Sequence, residues 1–162
     1  MSEPFTDQIL RKVEQTAELY HQLLLVVAPA GAGKTTALRD VRDRTGVPLV
    51  NVNLQLSCQM LELTERQRAL QLPRLLREIV VNDGSEMILV DNIEVIFDVS
   101  LKQAPFRLLR GFSRNKTVVD AWNGTITHDS LTYNAPDHPE YRRYPMRDFL
   151  VASPDLPAGR QG

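Results

Sequence analysis

The sequence predicts an α/β fold, a single three-layer domain in which helices cover both faces of a parallel sheet of about five strands. Short runs rich in apolar residues at Leu23–Val27, Val47–Leu54, Met87–Val90 and Thr117–Trp122, the first and third apolar throughout, alternate with stretches whose apolar residues recur at helical spacing. Continuous apolar runs of this length suit strands buried on both faces, and the alternation suits strands joined by crossover helices. The chain has 162 residues, 43% of them hydrophobic and 24% charged, which suits one core and excludes a wholly disordered or low-complexity chain.

Each element has its own warrant. Residues 4–22 place Phe5, Ile9, Val13, Ala17 and Tyr20 on one stripe with charges between them, an amphipathic helix packed on the domain. Leu23–Val27 is the first strand, followed by a Gly-rich turn and a helix from Lys34 to Arg44 that Gly46 stops. Val47–Leu54 is the second strand. From Ser57 to Val81 the leucines run at helical periods, and Pro73 is expected to divide or kink that stretch. Asn82-Asp83-Gly84-Ser85 reads as a turn before the third strand, Met87–Asp91. Residues 93–101 fit no single pattern, whereas Pro105 suits the first turn of a helix reaching Phe112. Thr117–Trp122 is the fourth strand, closed by Asn123-Gly124, and Ile126–Tyr133 is a weaker fifth. Five of the ten prolines lie between Pro136 and Pro157, so the domain is expected to span 1–150, with a flexible tail over 151–162.

Composition narrows the chemistry. With 19 basic and 20 acidic side chains the net charge is -1, so no global field favours a polyanion. Fifteen of the bases are Arg, the side chain that grips phosphate and carboxylate with two prongs. A single cysteine, Cys58, excludes an internal disulfide framework, and His21, His128 and His138 lack ligand spacing. No apolar run approaches the roughly 18 residues that cross a bilayer. The start of the chain lacks the basic and apolar regions of a signal peptide, so the expectation is a soluble cytoplasmic protein.

The informative segment is Ala28-Pro29-Ala30-Gly31-Ala32-Gly33-Lys34-Thr35-Thr36. It matches the phosphate-binding loop G-x-x-x-x-G-K-[ST] with Ala28 in place of the first glycine. Triphosphate oxygens need several backbone N–H groups pointing inward, which glycines at 31 and 33 permit and a following helix start supplements. Lys34 places a charge on the terminal phosphates, and the Thr35 hydroxyl suits Mg²⁺. The loop sits between a buried strand and a helix, the context the motif requires.

Asp91 ends the third strand, at the sheet edge where open α/β folds bind ligands, and it resembles a Walker B acid sharing the Mg²⁺ with Thr35. Many such ATPases carry a second acid immediately afterwards. Here that place is Asn92, which can hold a water but cannot take its proton. Glu94 reaches the same side if the chain stays extended, and is either a water-orienting base or a surface acid. Asn123, ending the fourth strand, is either a γ-phosphate sensor or half of a tight Asn-Gly turn. Asn115-Lys116-Thr117-Val118 begins like a guanine-specificity motif but lacks its acid and precedes a strand, so ATP is the expected nucleotide. Arg107, Arg110 and Arg114 share one helix face, and Tyr141-Arg142-Arg143-Tyr144 with Arg147 form a second cluster. Both are read as solvated or partner-docking surfaces ahead of an arginine finger, and nucleic-acid contact is the weaker alternative for the second.

The loop, Leu89-Val90-Asp91-Asn92-Ile93-Glu94 and the segment Phe106–Val119 together resemble the BrxF family of BREX bacteriophage-exclusion systems over about residues 5–145. The motifs point to an additional-strand P-loop domain, the length leaves no room for a helical lid, and the resemblance implies a role in bacterial defence beside other BREX-type proteins. The expected sheet order is 5-1-4-3-2. The expected activity is slow or partner-activated ATP hydrolysis, with Lys34, Asn92, Glu94 and Asn123 as catalytic candidates and another subunit completing the site. A small-molecule kinase and a noncatalytic, nucleotide-stabilised adaptor are the alternatives.

Overall fold

The computed structural model describes residues 4–29, 31–81, 84–98, 101, 103–114, 116–127, 130–134, 141–146 and 149–154. Ala30, Asn82, Asp83, Asn115, Arg147, two of the three histidines (His128 and His138) and residues 155–162 of the expected tail lie outside them. In chain order the elements are α1 (Phe5–Thr16), β1 (Leu23–Ala28), α2 (Lys34–Thr45), β2 (Leu49–Asn51), α3 (Val52–Met60) and α4 (Glu65–Val80). There follow β3 (Met87–Asp91), a 3-10 turn (Glu94–Phe97), α5 (Pro105–Phe112), β4 (Thr117–Ile126), β5 (Ser130–Tyr133), β6 (Arg142–Pro145) and β7 (Leu150–Ala152).

The strands form one mostly parallel sheet. Its order is β2-β3-β4-β1-β7, every neighbouring pair parallel, with β5 and β6 continuing from β4 as antiparallel strands. β1 is buried along its whole length. Because side chains alternate across a strand, Leu24 and Val26 join Ile9, Leu38 and Val41 on the face covered by α1 and α2, while Leu23, Leu25 and Val27 join Val52, Leu72, Leu76 and Leu109 on the opposite face.

The fifth parallel strand is not the one expected. Residues 130–133 turn back on β4, pairing Gly124 with Tyr133 and Ile126 with Leu131, and the Trp122 indole N–H donates to the Thr132 carbonyl at 2.9 Å. Asn123-Gly124 therefore lies inside β4 and makes no turn. Glycine is required there for a different reason, since a Cβ at position 124 would collide with the Thr132 carbonyl oxygen. The outer parallel position beside β1 goes to β7. Val151 and Ala152, expected in the tail, are buried in that strand, and the Ser153 N–H donates to Gln8 Oε1 at 2.6 Å.

Local caps explain three further boundaries. α1 stops at Thr16 and not at residue 22, with the Thr16 hydroxyl turned back onto the Val13 carbonyl. The strand expected to reach Leu54 ends at Asn51, whose side chain accepts the Leu54 N–H at 3.0 Å and starts α3. The helical stretch divides at residues 61–64, where Thr64 and Gln67 form a reciprocal capping box, and not at Pro73.

Pro73 sits inside α4, where proline leaves the carbonyl four residues back without its donor. That carbonyl is Ala69, and the Gln103 side-chain amide donates to it at 2.7 Å. Gln103→Leu is accordingly expected to lower stability by about 1–2 kcal/mol. In a Pro73→Ala background the backbone supplies the missing donor, and chemical denaturation should show the loss shrink.

Candidate functional site

An open cleft of about 330 Å³ lies at the carboxyl ends of β1 and β3, beside Ala121 and Asn123 of β4. One wall is the loop between β1 and α2. Gly31 and Gly33 adopt left-handed conformations, φ +79° and +92°, which cost a side-chain-bearing residue roughly 1–2 kcal/mol each. The turn they create aims the loop and the start of α2 into the cleft, where Lys34, Thr35 and Thr36 join the two glycines in its lining. Ala28 ends β1, and Pro29 and Ala32 belong to the same turn, joined by an Ala32 N–H to Pro29 carbonyl bond of 3.2 Å.

Lys34 is nearly buried, and its ammonium donates to the Ala28 and Pro29 carbonyls at 2.9 and 2.8 Å. Burial pushes its pKa down, and the nearby charges of Asp91 and Glu94 oppose that shift. The Thr35 hydroxyl donates to Asp91 Oδ2 at 2.7 Å, and the Asn92 N–H occupies Oδ1 at 2.9 Å. A hydroxyl and a carboxylate in contact are a donor pair suited to a divalent cation. Among the described residues no three acidic, histidine or cysteine side chains gather into a metal cluster, so a cation here would take its other oxygens from water or a bound anion. This wall combines a glycine-bearing turn, a buried ammonium and an acid paired with a hydroxyl.

The opposite wall comes from the turn after β3. Asn92 has φ +55°, a left-handed backbone that asparagine tolerates better than most residues. Its carbonyl accepts the Asn53 N–H at 2.8 Å, fastening the turn to α3. Glu94 reaches the cleft through this sharp bend and the 3-10 turn, not through an extended strand as expected. There its Oε1 accepts a hydrogen bond from Asn123 Nδ2 at 2.9 Å. The cleft thus brings together Lys34, Thr35, Asp91, Asn92, Glu94 and Asn123 from three separate segments.

The arginines lie elsewhere. The Gln22 N–H donates to the Ser113 carbonyl at 2.7 Å, and the Arg114 guanidinium stands 4.9 Å over the Tyr20 ring. These contacts precede β1, whereas the loop follows it, about 20 Å away along six strand residues. Arg110 and Arg114 therefore do not reach the cleft of their own chain, and Arg107 is exposed on the same helix. In the second cluster Tyr144 packs on Phe106, ring centroids 4.9 Å apart, and Arg143 donates to the Ser130 hydroxyl at 3.0 Å.

One residue was not foreseen. Asp120 is completely buried in the middle of β4, level with Leu25 of β1 and Val90 of β3. Among the described residues neither of its carboxyl oxygens has a hydrogen-bond partner. Burial raises its pKa well above the ordinary aspartate value, and the charges of Asp91 and Glu94 push the same way. The available signal was an acid inside the otherwise apolar run Val118-Val119-Asp120-Ala121-Trp122. The folded chain keeps this proton above pH of about 3.9, where an unfolded chain releases it, so this group's contribution to stability falls as pH rises. The stability gained by Asp120→Leu should therefore grow with pH from about 4 upward, as measured by denaturation at a series of pH values.

Among the described residues no helix is long and apolar enough to cross a membrane. Comparison with protein-family models and with curated proteins finds no match to this chain.

Proposed function

We propose that the cleft binds ATP with Mg²⁺ and that the protein is a slow ATPase of the additional-strand P-loop class. The observation that carries this reading is the pairing of Thr35, next to Lys34 at the start of α2 after the β1 loop, with Asp91 at the end of β3, while β4 runs between β1 and β3. In the proposed site the loop N–H groups and Lys34 hold the phosphate chain. Thr35 and Asp91 hold the Mg²⁺, which supplies charge stabilisation on the phosphate oxygens. Glu94 orients a water and accepts its proton as the water oxygen bonds to the γ-phosphorus and the bond to the β-phosphate oxygen breaks. Asn123, bonded to Glu94 in the free protein, turns its amide to the same phosphate when nucleotide is bound, and Asn92 adds a hydrogen bond to the water without taking a proton.

Slow turnover is expected because Asn92 stands where a second acid would take the proton, and because the Asn123 amide ties up one of the two Glu94 oxygens. The resemblance to the BrxF family supports a role as the nucleotide-dependent component of an antiphage assembly, with another BREX-type protein or a second copy completing the site. A small-molecule kinase is the alternative, although the groove of about 570 Å³ between α3, α4 and the 3-10 turn shares no lining residue with the cleft among the described residues. Calorimetric titration with ATP and Mg²⁺, followed by assay of labelled phosphate, separates these readings. Release to water supports the ATPase, transfer to a metabolite extract the kinase, and absence of binding overturns both.

A further inference from the structure

A buried carboxyl without a partner costs stability unless something offsets it, and apolar replacement of such a group is commonly neutral or favourable. Asp120 occupies such a place, in the strand that separates the two halves of the cleft. Its side chain shares a face with Val118 and Trp122, on the side where Ile93, Ile96 and Phe97 of the turn after β3 are packed. Trp122, two residues along, meets Phe97 edge-on at 5.4 Å, and Phe97 stacks on Tyr133 with ring centroids 3.5 Å apart. The turn that delivers Glu94 to the cleft is therefore anchored in the layer that contains Asp120. The same turn begins on the left-handed Asn92, and a 3-10 turn leaves its opening N–H groups without acceptors inside the turn. The acid without a partner and the turn whose opening N–H groups are not used inside it therefore lie on the same side of the sheet.

We propose that Asp120 is a positioning residue for Glu94: when nucleotide draws Glu94 off Asn123, the turn settles onto the Asp120 carboxyl, which takes up its spare N–H groups and fixes Glu94 against the phosphate. This rests on the nucleotide reading of the cleft. The unpartnered acid of the free protein is then one half of a contact completed only in the loaded state, and its cost is retained for that state.

Trp122 is the chain's one tryptophan, so its fluorescence reports on this layer directly. Wild type, Asp120→Leu and Asp120→Asn are compared by calorimetric titration with ATP and Mg²⁺, by Trp122 emission during the same titration, by melting temperature and by phosphate release. Asp120→Leu is expected to melt about 2–10 °C higher than wild type without nucleotide. It should bind ATP within about twofold of wild type. It should lose the nucleotide-dependent change in Trp122 emission, and its kcat should fall about ten- to a hundredfold with KM little changed. Asp120→Asn keeps one acceptor oxygen and should restore part of the emission change and of kcat. The inference is overturned if Asp120→Leu keeps the wild-type emission change, or if it melts lower and loses ATP affinity together with turnover, as a purely structural residue would. Failure of wild type to bind ATP sinks the nucleotide reading itself. If ATP binds and no phosphate is released, the emission change and its loss in Asp120→Leu still decide the role of Asp120.

Discussion

Lys34→Ala is expected to weaken ATP binding by about two to three orders of magnitude, the cost of removing one partner from a largely desolvated charge pair. Among the described residues the ammonium is the one cation in the cleft lining, and the charges of Asp91 and Glu94 act on it. Without it a triphosphate would enter beside two carboxylates with only loop dipoles to offset them. The same substitution removes the bonds to the Ala28 and Pro29 carbonyls, so the free loop should loosen too. Melting temperature distinguishes the effects. A loss of affinity by calorimetry with melting only slightly lowered assigns the effect to nucleotide contact, and undiminished affinity would refute the binding reading.

Glu94→Gln should leave ATP binding within a few-fold of wild type and reduce turnover by about 10²- to 10⁴-fold, the usual contribution of a general base. Glutamine retains the oxygen that accepts the Asn123 amide, so the turn keeps its tie to β4. What it loses is the capacity to take a proton. Single-turnover phosphate release at saturating ATP measures that step apart from binding. An unchanged rate would place the base on another subunit and leave Glu94 as the acceptor that keeps Asn123 in place.

The elements legible in the sequence were those whose signal is local. Leu23–Val27 is apolar throughout and continues only one residue further as a strand; Gly46 ends α2 in a left-handed cap, as its position predicts. Lys34, Thr35 and Asp91 were legible because two open the helix after a Gly-rich turn and the third ends an apolar strand, and the fold puts Thr35 and Asp91 in contact. Misplaced elements were those decided by distant partners. Pro73 lies within a helix because Gln103, 30 residues on, supplies a donor to Ala69. Asn123-Gly124 has the composition of a tight turn, yet stays in a strand because Trp122 and Thr132 bond across the antiparallel pair. Asp120 stood out locally only as an acid in an apolar run, and its lack of a partner is set by the strands that flank it, Leu25 of β1 and Val90 of β3.

β7 adds a consequence in time. β1 carries the loop on its end, but one of its edges is covered only when residues 150–152 pair with it, more than 120 positions later in the chain. Contacts of such separation form slowly, because a long loop must close before they stabilise anything. During synthesis, at about 5–20 residues per second, β1 waits several seconds with an exposed apolar edge. Until residue 153 has emerged to meet Gln8, the loop has no finished sheet to stand on. The cleft is thus among the last parts of the domain to be completed, and a nascent chain halted before β7 would display that edge to other strands.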